Sequence, residues 1–274
     1  MSVFVEAKNM ETKAGGEPYE CWAESCKALK IDQKEWWDTI KRRYGEKKRQ
    51  YHTMNHIKEM FAYYRVGKNK LTRPHLVALA ILFHDIIYNP KYPPGLNERK
   101  SAELWLEFAR EARSKGSMLT LEDTQLVYNW ILKTASHKCS PMDSYDCRVF
   151  MDWDMAILAQ PWKRYEKYMA QVRQEFQHVP DFIWCTARGG FLRDTLREER
   201  IYNTKEYIGE MERTARENMA RELKILDCRV GFVSKIAAII IIFANGNPKS
   251  VAVIILGLAV LVALCILFPG YKEL

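Results

Sequence analysis

Six histidines stand in the 274 residues, and three of them occupy positions where an imidazole is hard to leave unpartnered. His84 and Asp85 are adjacent at the end of an otherwise apolar stretch, Leu76-Val-Ala-Leu-Ala-Ile-Leu-Phe83. Polar groups in so apolar a segment are costly unless both are satisfied. A divalent cation satisfies imidazole and carboxylate at once; an internal His–Asp hydrogen bond is the competing reading. Upstream, His52 and His56 are spaced by one helical turn, a recognised way to present two nitrogen ligands on one face. His56 borders the core through Ile57 and can point at the helix that carries His84. Further on, Phe150-Met-Asp152-Trp-Asp154 offers two carboxylates. On a helix they would point about 200° apart, so one ion cannot use both. Phe150, Met151, Met155, Ile157 and Leu158 define the buried arc. Asp154 lies inside it and is the expected ligand, with Asp152 as a helix cap.

The elements that must position these groups read as helices. From Tyr19 to about Ala220 the texture is helical, and no stretch of six residues alternates with period two. Breaks fall at Gly67–Arg73, Asn89–Asn97, Arg113–Ser117, Ser136–Asp146, Val179–Asp181 and Gly189-Gly190. Thr72-Arg-Pro74 should open a helix, threonine as cap and proline in the first turn. Along it Leu76, Leu79, Ala80, Phe83 and Ile87 form the core stripe. The expected class is all-α, a helical bundle around a metal site. Residues 1–17 read as a flexible arm and 18–228 as the chemical domain.

Residues 229–274 differ in kind. Val251 to Phe268 is an uncharged run, VAVIILGLAVLVALCILF, nearly long enough for a roughly 30 Å hydrocarbon core. Ile236 to Ala244 is also apolar, and Asn245-Gly-Asn-Pro248 reads as a turn. The expectation is one or two C-terminal membrane helices, a single span at 251–268 or a hairpin at 230–268. The net charge is +8, and of 42 basic residues only Lys235, Lys249 and Lys272 follow residue 229. That mild excess suits an anionic substrate or an acidic membrane surface. No basic block interleaved with aromatics argues for nucleic acid. Seven cysteines without metal-finger spacing fit reduced thiols. No signal peptide is apparent at the N-terminus. The expected location is therefore a membrane-anchored protein with its catalytic domain in the cytoplasm.

The order His, His-Asp, Asp resembles the HD superfamily of metal-dependent phosphohydrolases, and more closely its bacterial-type group of HD phosphohydrolases. The matching stretches begin with Arg49-Gln-Tyr-His52 with His56-Ile57, Phe83-His84-Asp85 with Tyr88, and Asn97-Glu98 with Ser101-Ala102. They continue through Thr134 with His137, Asp152-Trp-Asp154-Met-Ala-Ile-Leu158, Arg188, Ile201-Tyr202, and Glu212 through Asn218 with Glu222. The match runs from about Tyr19 to Leu226. Ala159 stands where the group usually has glycine, and the hydrophobic tail lies outside the family pattern.

The resemblance implies a cation held by His56, His84, Asp85 and Asp154, with room for water and a phosphate oxygen. Such mixed ligands suit manganese, magnesium, iron, cobalt or zinc. It implies hydrolysis of a phosphoester or phosphoanhydride, with a nucleotide or a related small molecule as substrate. Asp85, Glu98 and His52 are the expected catalytic groups, Ser101 supporting the cap of the helix that Glu98 enters. His137, Arg188 and Lys91 are the candidates for binding substrate. His75 and His178 receive no role. The rival reading is a membrane-tethered scaffold that keeps the metal site without turnover.

Overall fold

The computed structural model describes residues 18–32 and 34–244. Among these residues the chain is all-helical, with ten α-helices, two short 3-10 turns and no strand. The helices are α1 (Pro18–Ala28), α2 (Lys34–Tyr44), α3 (Met54–Gly67), α4 (Pro74–Phe83) and α5 (Leu96–Ser114). They continue with α6 (Leu121–Lys133), α7 (Tyr145–Asp154), α8 (Trp162–Glu175), α9 (Asp181–Arg197) and α10 (Glu210–Ala244). The chain divides into two compact units, residues 1–179 with 193–221 and residues 180–192 with 222–274.

The centre of the first unit is α4. Every residue from Leu76 to Phe83 is buried, not just the expected stripe, because α1, α3, α5, α6 and α7 all pack against this helix. A helix apolar all round is one enclosed on all sides. Pro74 occupies its first turn, but the N-cap is Arg73 rather than Thr72 and makes no side-chain cap. The cap comes from a distance: the Asp146 carboxylate accepts from the backbone N–H groups of Thr72 at 3.0 Å and Arg73 at 2.7 Å. Asp146 thus satisfies donors the first turn leaves open and favours the dipole. At the other end α4 stops at Phe83, so Ile87 falls out of phase and is half-buried, while Ile86 is buried. Phe83 meets Trp36, Trp105 and Phe108 in one aromatic cluster.

Several boundaries differ from the sequence-based expectation. Gly189 and Gly190 lie inside α9 rather than at a break. A buried Gly189 is tolerated there because a continuous hydrogen-bonded helix outweighs roughly 1 kcal/mol of intrinsic glycine penalty. Ser101 is not a cap for α5, which begins at Leu96 after Gly95 in the left-handed region at φ 80. Its hydroxyl instead meets the backbone of Ile87, accepting from N–H at 3.1 Å and donating to the carbonyl at 3.2 Å. Asn97 does the same for Asn89, at 2.8 and 3.2 Å. The loop after His84-Asp85 is therefore tied down on α5.

The expected arm at 1–17 and the run Val251–Phe268 lie outside the described residues. The helix α10 runs without interruption through residue 229, where the chemical domain was expected to end. No helix of the described residues is long and apolar enough to cross a membrane.

Candidate metal centre

Three segments bring the site together within the first unit. His56 comes from the first turn of α3, His84 and Asp85 from the end of α4, and Asp154 from the last residue of α7. His56 Nε2 and His84 Nε2 are 3.3 Å apart. Asp85 Oδ2 is 3.2 Å from His84 Nε2, and Asp154 Oδ1 is 3.0 Å from His56 Nε2 and 3.5 Å from His84 Nε2. His56, His84 and Asp85 each offer a ligand atom within 4.8 Å of the others. Both histidines are buried, at 3% and 1% exposure.

The outward nitrogens are already engaged. His84 Nδ1 donates to the carbonyl of Ile81 at 2.9 Å. His56 Nδ1 faces the Tyr51 hydroxyl at 3.2 Å. The carbonyl at His84 Nδ1 places a proton there and turns Nε2 toward the site, the arrangement found behind metal-ligating histidines. The Tyr51 hydroxyl can donate or accept and orients the His56 ring without dictating its tautomer. The two Nε2 atoms face each other at 3.3 Å, a separation that needs a cation or a proton between them.

Electrostatics point the same way. Burial works to lower the His84 pKa, but the carboxylates of Asp85 and Asp154 outweigh it and hold it well above the ordinary value. Burial likewise works to raise Asp154, while His84 and the hydrogen bonds from His137, His56 and His84 hold it well below the usual carboxylate range. Asp85 is lowered against burial, chiefly by His84. Positive charge at the centre is thus favoured by the two flanking carboxylates, Asp85 and Asp154.

The two aspartates of α7 separate by role. Both are largely enclosed, and Asp152 is the more deeply buried at 0% exposure. It is not a helix cap, since Ser144 caps α7. Its carboxylate accepts from N–H and Nδ2 of Asn203 at 2.6 and 3.0 Å, and from N–H and Oγ1 of Thr204 at 2.8 and 2.6 Å. Burial pushes the Asp152 carboxyl up to about 6 despite those hydrogen bonds. It anchors the 203–204 turn, whereas Asp154 faces the histidines.

The remaining candidates sit as follows. His52 and His56 do not share a helix face, because Thr53 caps α3 and leaves His52 in the preceding turn. Their rings nonetheless lie 6.2 Å apart. His137 Nε2 is 2.8 Å from Asp154 Oδ2, reached from a left-handed backbone at φ 55. Glu98 enters from the first turn of α5. Its Oε2 is buried without a hydrogen-bond partner among the described residues. Burial raises its carboxyl, a backbone hydrogen bond opposes this, and Asp85 adds to the rise. Lys91 is exposed on the loop after Asn89. Arg188 belongs to the second unit, where it meets Glu222 through two bonds at 2.8 and 3.0 Å.

Two contributors were missed by sequence reasoning. Glu175, at the end of α8, accepts five hydrogen bonds beside His52. Arg49, matched above but given no role, donates to the carbonyls of His52, Asp85 and Ile86. A glutamate in a mixed-charge helix gives no local signal of burial. No family model, no curated protein and no solved structure matches this chain.

Proposed function

We propose that this chain is a metal-dependent phosphohydrolase of the HD type, acting on a phosphoester or phosphoanhydride of a nucleotide or similar small molecule. The observation that carries the reading is the convergence of the buried Nε2 atoms of His56 and His84, 3.3 Å apart, with the carboxylates of Asp85 and Asp154. The donor set fits a divalent manganese, magnesium, iron, cobalt or zinc ion held by those four residues. Such an ion, when bound, polarises a phosphoryl oxygen and acidifies water.

The chain's own groups supply the rest. Asp85, half-buried beside His84, can orient the attacking water by accepting a hydrogen bond from it. Glu98 is held toward its protonated form by burial, which suits a donor to the leaving oxygen. His137 and the exposed Lys91 are suited to phosphate oxygens. No role is assigned to Arg188, whose guanidinium already meets Glu222. The uncharged run 251–268 supports anchoring at a membrane, with free thiols such as Cys139 and Cys147 consistent with a reducing cytoplasmic face.

The test is a screen of the full chain in detergent against a nucleotide and phosphoester panel, with manganese supplied and metal content measured. Turnover with about one equivalent of retained metal is the expected result. No turnover on any phosphate together with no retained metal sinks the reading. For the anchor, the protein should stay in the pellet after an alkaline carbonate wash; release into the supernatant refutes it.

A further inference from the structure

We propose that Glu175 is a positioning residue for the reaction, holding His52 so that its Nε2 takes a proton from the attacking water. The inference rests on the phosphohydrolase reading and assigns the base within that same site.

Glu175 is 4% exposed, and its two oxygens do different things. Oε1 accepts from the backbone N–H groups of Gln50, Tyr51 and His52 at 2.7, 2.9 and 3.1 Å. This fixes the turn just before α3 from the end of α8. Oε2 accepts from His52 Nδ1 and from the Tyr88 hydroxyl, both at 2.7 Å. The His52 ring is stacked on Tyr88 with centroids 4.3 Å apart and meets Tyr51 edge-on at 5.0 Å. Orientation, tilt and rotation of the imidazole are therefore all set.

A carboxylate at Nδ1 dictates the tautomer: the proton sits on Nδ1 and the lone pair on Nε2. Among the described residues Nε2 has no hydrogen-bond partner, and the side chain keeps 23% exposure. The ring lies 6.2 Å from that of His56. Arg49 ties the two walls together, donating to the carbonyl of His52 at 3.0 Å and to that of Asp85 at 2.7 Å. A bare nitrogen on a locked ring beside the metal centre is the geometry of a general base oriented by a buried carboxylate.

The step balances without a further reagent. As water adds to phosphorus, the new O–P bond forms and one water proton passes to His52 Nε2. The P–O bond to the leaving oxygen breaks with its electron pair, and that oxygen takes the proton of Glu98. Glu175 stays ionised and stabilises the imidazolium; His52 then returns its proton to solvent or Glu98.

The experiment uses the full chain in detergent. Glu175→Gln keeps an oxygen for the three backbone N–H groups but turns an amide donor toward Nδ1, reversing the tautomer. We expect kcat to fall about 100-fold with KM within about twofold. Histidine-labelled ¹⁵N NMR should show His52 protonated at Nδ1 in the parent and at Nε2 in the variant. Should Glu175→Gln not fold, His52→Ala gives the second arm: kcat falls similarly, and added imidazole restores part of it. Parental kcat in a folded Glu175→Gln or His52→Ala protein overturns the dyad and leaves the phosphohydrolase reading standing. So does a His52 proton on Nε2 in the parent. A parent that turns over no phosphate and retains no metal overturns both.

Discussion

Arg49 Nη1 donates to the backbone carbonyl of Asp85 at 2.7 Å and to that of His52 at 3.0 Å. One buried guanidinium thus joins the turn that carries His52 and leads into α3, where His56 lies, to the end of α4 with His84 and Asp85. Its Nη2 reaches the carbonyl of Ile86 at 2.9 Å, and Nε faces Glu46. A planar fork can serve three carbonyls on diverging segments; an ammonium cannot. Arg49→Lys should therefore cost on the order of 2–3 kcal/mol through carbonyls left unsatisfied. A urea titration followed by circular dichroism would show the midpoint falling; an unchanged midpoint would contradict the role.

The two aspartates of α7 should fail differently. Asp154→Asn removes one carboxylate of the proposed metal centre, so retained manganese should be lost while the fold persists. In Asp152→Asn an amide nitrogen must face either the Asn203 or the Thr204 donors, at a cost of about 1–3 kcal/mol. Elemental analysis and a thermal melt on each variant separate the effects. Metal loss from Asp152→Asn at full stability would reverse the assignment.

Stability should depend on pH through Glu175. Burial works to raise its carboxyl, but His52 and the donors around it bring it down to about 2 from an ordinary 4.5. A depressed carboxylate contributes stability that is present above its ordinary pKa and is lost as pH falls through the folded value. The loss should run from about pH 4.5 to 2 and amount to a few kcal/mol, on the order of 3. His52 is raised above 6.5, Glu175 overcoming its burial. Its contribution is complete below that value and fades as pH rises through the folded pKa. Denaturant titrations across pH should show the acid loss blunted in Glu175→Gln; equal slopes in both proteins would refute it.

Gly67, the last residue of α3, lies against Trp153. A Cβ there would come within 2.8 Å of Trp153 Cζ2. The indole cannot swing freely, because its Nε1 donates to the Tyr207 hydroxyl at 2.7 Å. Gly67→Ala should destabilise by roughly 1–3 kcal/mol, although alanine favours helix elsewhere. Trp153 precedes Asp154, so metal retention should fall as well. A melting temperature equal to or above the parent's would show that the neighbours give way.

Much was readable from residue order alone. The apolar run 76–83 announced a helix with a buried stripe, the His-Asp pair at its end announced a costly polar site, and helical texture announced the all-α class. These are local properties of composition and period. Other features depend on which distant segments meet. The cap of α4 comes from Asp146 because α7 packs there, not from the neighbouring Thr72. Asp154 faces the histidines while Asp152, two residues away and the same residue type, holds the 203–204 turn. The tertiary structure also placed Glu175 behind His52, with more than a hundred residues between them. Sequence determined which groups demand partners, since burying an imidazole or a carboxylate is costly wherever it occurs. Only the packing of the helices decided which partners arrive, because a hydrogen bond depends on positions in space that no local pattern encodes.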